Sequence, residues 1–129
     1  MKTRIPVKTS LLIFLSIFVC IHMHAQDVGL SPKKFMEKGN ALHGIFIDVR
    51  TPEEFLTATI PGAINISFMS PDFKTVVMKL DKTKAYFIFS GAGIRSSGAM
   101  SEMKKMGFYK IYELEGGLLS WQRDKMPID

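Results

Sequence analysis

The 129-residue chain is basic and moderately apolar, with 17 Lys and Arg against 12 Asp and Glu and 47% hydrophobic residues. Three of the basic residues, Lys2, Arg4 and Lys8, precede residue 26, so 14 basic residues remain against 12 acidic ones beyond that point. This near balance argues against nucleic acid as a partner, because such binding depends on a strong excess of positive charge. About a hundred residues are enough for one small domain with one hydrophobic core.

Residues 1–25 have the pattern of a secretory signal peptide. Basic residues precede an apolar run, 11–21, that is too short to span a bilayer comfortably. Ala25 offers a small residue before a cleavage site. We therefore expect an exported protein, periplasmic or secreted, with a single domain over residues 26–129. An uncleaved N-terminal anchor, or lipidation at Cys20, would instead tether the protein to a membrane.

The cysteine and histidine counts argue against several kinds of chemistry. Cys20 is the only cysteine, so cleavage after residue 25 leaves neither a disulfide nor a thiolate for catalysis. His22 and His24 are lost with the same segment and only His43 stays, which argues against a multi-histidine metal site. The methionines of residues 100–106 have near-helical spacing, which favours core packing over a copper site. We expect no metal and no other cofactor.

Short apolar strands alternate with helical segments along the rest of the chain. The order predicts an α/β fold: a small parallel sheet of about five strands with helices on both faces. Ligands of such sheets bind beyond the carboxyl ends of the strands. The predicted strands are 45–49, 63–66, 85–89 and 110–114, with 27–30 as a further edge strand or a tail. The predicted helices begin near residues 32, 52, 71, 95 and 117.

Two of the helix starts carry residues that are favoured at N-termini. Ser31 and Thr51 are predicted N-caps, and each is followed by a proline at the first helical position. Glu53 and Glu54 follow in the first turn of the second helix, where the helix dipole stabilises negative charge. We expect both carboxylates to be solvated.

The loop that follows the strand 85–89 is the best candidate for a functional site. It is small and glycine-rich, so its backbone can curl and point successive N–H groups inward, and it leads directly into a helix. Such a junction favours a bound anion, to which an arginine at the rim would add a planar cation. An ordinary strand-to-helix turn is the alternative. The candidate anion-binding residues are Ser90, Gly91, Ala92, Gly93, Ile94 and Arg95.

Blocks on either side of this loop resemble the two signatures of rhodanese-like domains. Residues 48–55 (Asp-Val-Arg-Thr-Pro-Glu-Glu-Phe) and 60–66 (Ile-Pro-Gly-Ala-Ile-Asn-Ile) are similar to the N-terminal signature. Residues 107–118, with Trp121 and Pro127 beyond them, are similar to the C-terminal signature. The resemblance covers nearly all of the predicted domain in the right order, and it implies the rhodanese-like fold.

The resemblance also implies what the loop does in this family. There, the loop runs from a catalytic cysteine through four residues to an arginine, and the cysteine carries a persulfide. A match on Arg95 places Ser90 at the cysteine position, with the loop length of the sulfurtransferases. A serine oxygen cannot form the sulfur–sulfur bond of a persulfide. We therefore expect a chain without thiosulfate sulfurtransferase activity.

The sequence leaves three functions open. The first, which we favour, is a non-catalytic module, a monomer, that binds a small anion or a partner protein. The second is a hydrolase that uses Ser90, for which the loop itself supplies no base. The third is a structural module with an empty loop.

Two positions beside the loop complete the set of candidates. Asp48 and Arg50 stand at the end of a predicted strand, where they either form structural ion pairs or border the pocket. Ala58 and Thr59 stand where the family usually has Gly-His, and this change alters the hydrogen bonding expected near Asp48.

Overall fold

The computed structural model describes residues 29–129. The predicted signal peptide and its cleavage site lie outside these residues and stay predictions, as does the start of the domain at residue 26. The strands are β1 (Ile45–Asp48), β2 (Ile64–Asn65), β3 (Tyr86–Phe89) and β4 (Ile111–Glu113). The helices are α1 (Pro32–Ala41), α2 (Pro52–Thr57), α3 (Phe73–Met78), α4 (Ile94–Lys105) and α5 (Gly117–Arg123).

The strands form one parallel sheet in the order β2-β1-β3-β4, which confirms the predicted fold class. The sheet has four strands rather than about five. The candidate edge strand at 27–30 contributes a single bridge between Leu30 and Leu114, while Asp27 and Val28 lie outside the described residues. Ser31 follows at once as the N-cap of α1, so the chain leaves the sheet after this one pairing.

The strand order places the candidate loop at a topological switch point. The chain passes from β1 to β2 on one side and then returns across β1 to β3 on the other. Segments that follow β1 and β3 therefore diverge and leave a crevice at the carboxyl end of the sheet. Both Arg50, after β1, and Ser90, after β3, lie at this crevice.

Alternating side chains of the strands build one core on each face of the sheet, as expected when helices cover both faces. On one face Ile47, Tyr86, Ile88 and Ile111 pack with Phe73 and Val77 of α3 and with Ala99, Met100 and Met103 of α4. On the other face Phe87, Phe89 and Leu114 pack with Phe35 of α1 and with Leu118 and Trp121 of α5.

The buried methionines and the tryptophan are core residues, as the sequence predicts. Met103 and Trp121 are each only 1% exposed. The indole N–H of Trp121 donates to the carbonyl oxygen of Pro127 at 2.7 Å, which fixes the chain after α5. In the part of the chain that the structure describes, no helix has the length and apolar character needed to cross a bilayer.

Candidate functional site

Ser90 lies immediately after β3, and its hydroxyl is completely buried within the loop. Its Oγ accepts the backbone N–H of Gly93 at 3.2 Å and that of Ser96 at 3.1 Å. The hydroxyl hydrogen is donated to Oγ of Ser96 at 3.1 Å. A serine hydroxyl has one donor and two acceptor positions, so the hydrogen-bonding capacity of Ser90 is used entirely within the protein.

A carboxylate from the neighbouring strand continues this hydrogen-bond chain. The Ser96 hydroxyl donates to Oε1 of Glu113 at 2.7 Å. The Ser97 hydroxyl donates to the same oxygen, also at 2.7 Å. Glu113 is the last residue of β4, and it therefore ties the first turn of α4 to the adjacent strand. The loop itself contains no base, but Glu113 stands one hydroxyl group away from Ser90.

The start of α5 supports the loop from the other side. The N–H of Leu118 donates to the carbonyl oxygen of Ser90 at 2.8 Å, and the N–H of Leu119 donates to that of Gly91 at 3.0 Å. Gly117 permits this approach because a Cβ there would lie 2.5 Å from both carbonyl oxygens. Its φ of +63° is also one that residues with a side chain rarely adopt.

Arg95 stands at the rim of the loop, but its charge is already paired. Its guanidinium makes two hydrogen bonds to the Glu54 carboxylate, at 2.7 and 3.1 Å. Glu54 also closes a capping box with Thr51 at the start of α2. The Arg95 hydrogen bond, helped by that from the Thr51 backbone, lowers the pKa of Glu54 to about 2. The Glu54 side chain is 40% exposed, as expected for a solvated first turn, but its pairing with Arg95 was not predicted; Glu53 is exposed as expected.

Asp48 and Arg50 form a buried pair with each other beneath the loop. Arg50 reaches the Asp48 carboxylate through its backbone N–H, Nε and Nη2, the last at 2.7 Å. The Thr59 hydroxyl donates to Asp48 at 2.9 Å, and the carbonyl oxygen of Ala58 accepts from Arg50. A Cβ on Gly91 would lie 3.9 Å from Cδ of Arg50, so Arg50 borders the loop through its aliphatic part.

The structure thus brings all the predicted site residues to one end of the sheet, and it adds three that sequence reasoning missed. The position of Glu54 could have been predicted from the sequence, since Thr51-Pro52-Glu53-Glu54 has the spacing of a capping box. No sequence pattern indicates Ser96 and Glu113, because a hydroxyl in a helix and an acidic residue in a strand become partners only when β3 and β4 pair. Among residues 29–129 there is no cluster of His, Cys, Asp or Glu side chains that could hold a metal ion.

The family model of the rhodanese-like domain matches residues 31–124 of this chain. That range runs from the N-cap of α1 to the end of α5, and so includes every element of the sheet and the loop. The chain therefore belongs to the rhodanese-like domain family.

Curated relatives and a solved structure agree with this assignment. The chain is 30% identical over 96 residues to a tRNA uridine(34) hydroxylase of Pelagibacter ubique, a match that covers 74% of this chain but only 32% of that protein's length. It is 26% identical over 84 residues to a sulfurtransferase of Allochromatium vinosum, covering 65% of this chain and 77% of the relative. A rhodanese-related protein from Thermoplasma volcanium superposes with a TM-score of 0.70 at 25% identity, covering 78% of this chain and 96% of that one.

Proposed function

We propose that this rhodanese-like domain transfers no sulfur, and that its loop 90–95 is a non-catalytic binding site for a small anion, free or displayed by a partner protein. The observation that carries the proposal is the state of Ser90, whose hydroxyl is buried and fully hydrogen-bonded within the loop. Persulfide chemistry needs a thiolate, and residues 29–129 contain no cysteine.

The start of α4 supports an anion as the ligand. The N–H groups of Ile94 and Arg95 are the first two of this helix, so no preceding turn supplies them with a carbonyl acceptor. The positive end of the helix dipole lies at the same place. Ala92 and Ile94 are exposed, and a ligand that arrives from solvent therefore meets this part of the loop. Because Glu54 neutralises much of the charge of Arg95, we expect modest affinity.

A titration followed by amide NMR tests this proposal. Thiosulfate and phosphate are added separately to ¹⁵N-labelled protein, and saturable shifts are expected at the amides of residues 91–95. Glu54→Gln removes the negative charge beside the Arg95 guanidinium and should strengthen binding, whereas Arg95→Ala should weaken it. Lys79→Ala, which removes an exposed charge at the far end of α3, is the matched control and should leave the affinity unchanged.

The source of the anion is distinguished in the same experiment. Acetate is compared with a short peptide that ends in a free carboxylate and with the same peptide amidated at its C-terminus. A clear preference for the free-carboxylate peptide would identify a partner protein as the source of the anion. Equal binding of acetate and the peptide would identify a free anion as the ligand. If no anion shifts the loop amides, the proposal fails and the loop is purely structural. If thiosulfate is consumed in the presence of cyanide, the non-catalytic part of the proposal fails.

Hydrolysis by Ser90 is a second candidate, and one observation favours it: the hydrogen-bond chain from Ser90 through Ser96 to the Glu113 carboxylate. Such a chain links a hydroxyl to a general base, as an activated nucleophile requires. The complete burial of Ser90 opposes it, because a substrate must touch the attacking oxygen. Turnover of p-nitrophenyl acetate that is abolished by both Ser90→Ala and Glu113→Gln would establish this function in place of the first.

A further inference from the structure

The Arg95–Glu54 ion pair lies beside the loop 90–95 and determines how an anion can reach Arg95. Nη1 and Nη2 of the guanidinium donate to the two carboxylate oxygens at 2.7 and 3.1 Å, the two-bond geometry that arginine favours with a carboxylate. Nη2 would also lie 3.4 Å from a Cβ added to Gly91, so the guanidinium borders the loop backbone at that residue. A carboxylate of the protein thus already fills the two-donor end of the cation that borders the loop.

The pair can open because Glu54 has other partners and both side chains reach water. Oε2 of Glu54 also accepts the Thr51 backbone N–H at 3.0 Å and the Thr51 hydroxyl at 3.1 Å, so Glu54 stays fixed to the start of α2. The Glu54 and Arg95 side chains are 40% and 30% exposed. Hydrogen bonding to Glu54 is the main cause that raises the pKa of Arg95; the charge of Asp48 adds to it, but Arg50 holds that carboxylate in a buried pair. Of these two carboxylates, Glu54 is therefore the one that an incoming anion can displace.

From this geometry we propose that Glu54 is a specificity-determining residue of the loop: it occupies Arg95 as an internal ligand, and the loop binds those anions that can take its place. This inference rests on the proposed function, because it needs an anion at the loop. In the exchange the Arg95 guanidinium turns its two donors from Glu54 to the ligand, and Glu54 keeps its hydrogen bonds to Thr51.

The exchange selects a chemical class of ligand. A guanidinium forms two parallel hydrogen bonds with a group that presents two oxygens side by side, as carboxylates and phosphates do. A spherical anion such as chloride offers a single acceptor atom and gains less from replacing Glu54. The loop should therefore prefer oxyanions over halides of the same charge. Because the competing pair is partly exposed, Glu54 should lower the affinity by about fivefold or less, the size of one such ion pair.

Titrations with acetate and chloride at equal ionic strength test the selection, with affinities taken from the amide NMR shifts of residues 91–95. The protein should bind acetate more tightly than chloride. Glu54→Gln keeps a residue that serves in a capping box but removes the charge, so it should bind acetate up to about fivefold more tightly and discriminate less against chloride. Glu53→Gln removes the same charge from an exposed residue of the same helical turn, and this control should change the affinity far less.

A double-mutant cycle separates exchange at Arg95 from simple repulsion between Glu54 and the anion. If Glu54 acts by occupying Arg95, Glu54→Gln should change acetate binding little once Arg95→Ala has removed the guanidinium. If Glu54 only repels the anion, the gain should be the same in both backgrounds. Exchange should also shift the Thr51 amide in step with the loop amides, because its N–H donates to Glu54.

The outcomes distinguish this inference from the proposed function. If no anion shifts the loop amides, both fail. If anions bind but acetate is not preferred over chloride, only the role of Glu54 is overturned. The same holds if Glu54→Gln and Glu53→Gln give equal gains, if the gain persists in the Arg95→Ala background, or if the Thr51 amide stays in place while the loop amides shift.

Discussion

The two ends of the sheet are built on opposite principles. At the carboxyl end the polar side chains are paired within the protein: Ser90 with the loop, Arg95 with Glu54, and Asp48 with Arg50. At the amino end Lys84 and Lys110 line an open groove, and the acidic neighbour of Lys84 is Asp81, whose Oδ1 accepts from Thr83. The carboxyl end is therefore the more tightly constrained of the two, and changes to its buried pairs should cost more stability than changes to exposed charges.

The buried pair below the loop should give the largest effect on stability. Asp48→Ala leaves the Arg50 guanidinium buried without its carboxylate, and we expect a loss of about 3–5 kcal/mol in the free energy of unfolding. Urea denaturation measures the change. Lys33→Ala, which breaks the exposed pair with Glu37, is the control and should cost less than about 0.5 kcal/mol. Similar costs for the two variants would mean that the buried Asp48–Arg50 pair does not stabilise the carboxyl end of the sheet.

Crowding the contact between α5 and the loop should give the next largest loss of stability. Gly117→Ala places a Cβ 2.5 Å from the carbonyl oxygens of Ser90 and Gly91, so we expect a loss of about 3 kcal/mol. Gly62→Ala is a matched control, because Gly62 also has a positive φ but nothing lies within 4 Å of an added Cβ. It should cost only about 1 kcal/mol, the strain of the left-handed conformation. Thermal unfolding of both variants separates crowding from strain, and equal shifts in melting temperature would contradict the close approach.

Ser96 and Ser97 test the hydrogen-bond network around Ser90, because both serines donate to the same oxygen of Glu113. Ser96 is buried, and Ser96→Ala deprives Ser90 of its hydrogen-bond acceptor, which should cost about 1–2 kcal/mol. Ser97 is exposed, so water can replace its hydroxyl and Ser97→Ala should cost less than about 0.5 kcal/mol. Chemical denaturation of the pair measures the difference. An equal or reversed order would show that the Ser90 network is not closed.

The smallest effect concerns the dependence of stability on pH. The pKa of Glu54 is about 2 in the folded protein, below its ordinary 4.5. A lowered pKa stabilises the fold fully above pH 4.5, and this contribution is lost as the pH falls towards 2. We expect about 1 kcal/mol, since solvent screens a pair whose side chains are 30% and 40% exposed. Stability curves of the protein and of Glu54→Gln should converge between pH 4.5 and 2. Parallel curves would exclude the Arg95–Glu54 pair as a stabilising contact.

The sequence predicts the fold well because its local signals agree with one another. Alternation of apolar strands and capped helices indicates a parallel sheet, and Pro52 after Thr51 marks the start of α2 where the capping box forms. The segment 27–30, predicted as an edge strand or a tail, contributes one bridge at residue 30 within the described part of the chain. That outcome depends on how Leu30 meets Leu114, a contact between residues far apart in the chain.

The site is predicted only in part, for the same physical reason. The loop 90–95 and the Asp48–Arg50 neighbourhood follow from motifs that are contiguous in sequence. Which charge Arg95 meets, and which carboxylate lies behind Ser96, depends on the packing of α2 and β4 against α4. The groove at the other end carries no contiguous motif, because it is assembled from the starts of three strands.

The most direct test of the central claim is a comparison of thiosulfate-to-cyanide sulfur transfer by the protein and by its Ser90→Cys and Ser90→Ala variants. We expect no turnover by the protein or by Ser90→Ala. Ser90→Cys supplies the missing thiol at a position to which the N–H groups of Gly93 and Ser96 already point, so turnover by this variant alone would mean that only the nucleophile is lost. Turnover by the unaltered protein would contradict the account, since the described residues offer no sulfur nucleophile that could carry the persulfide.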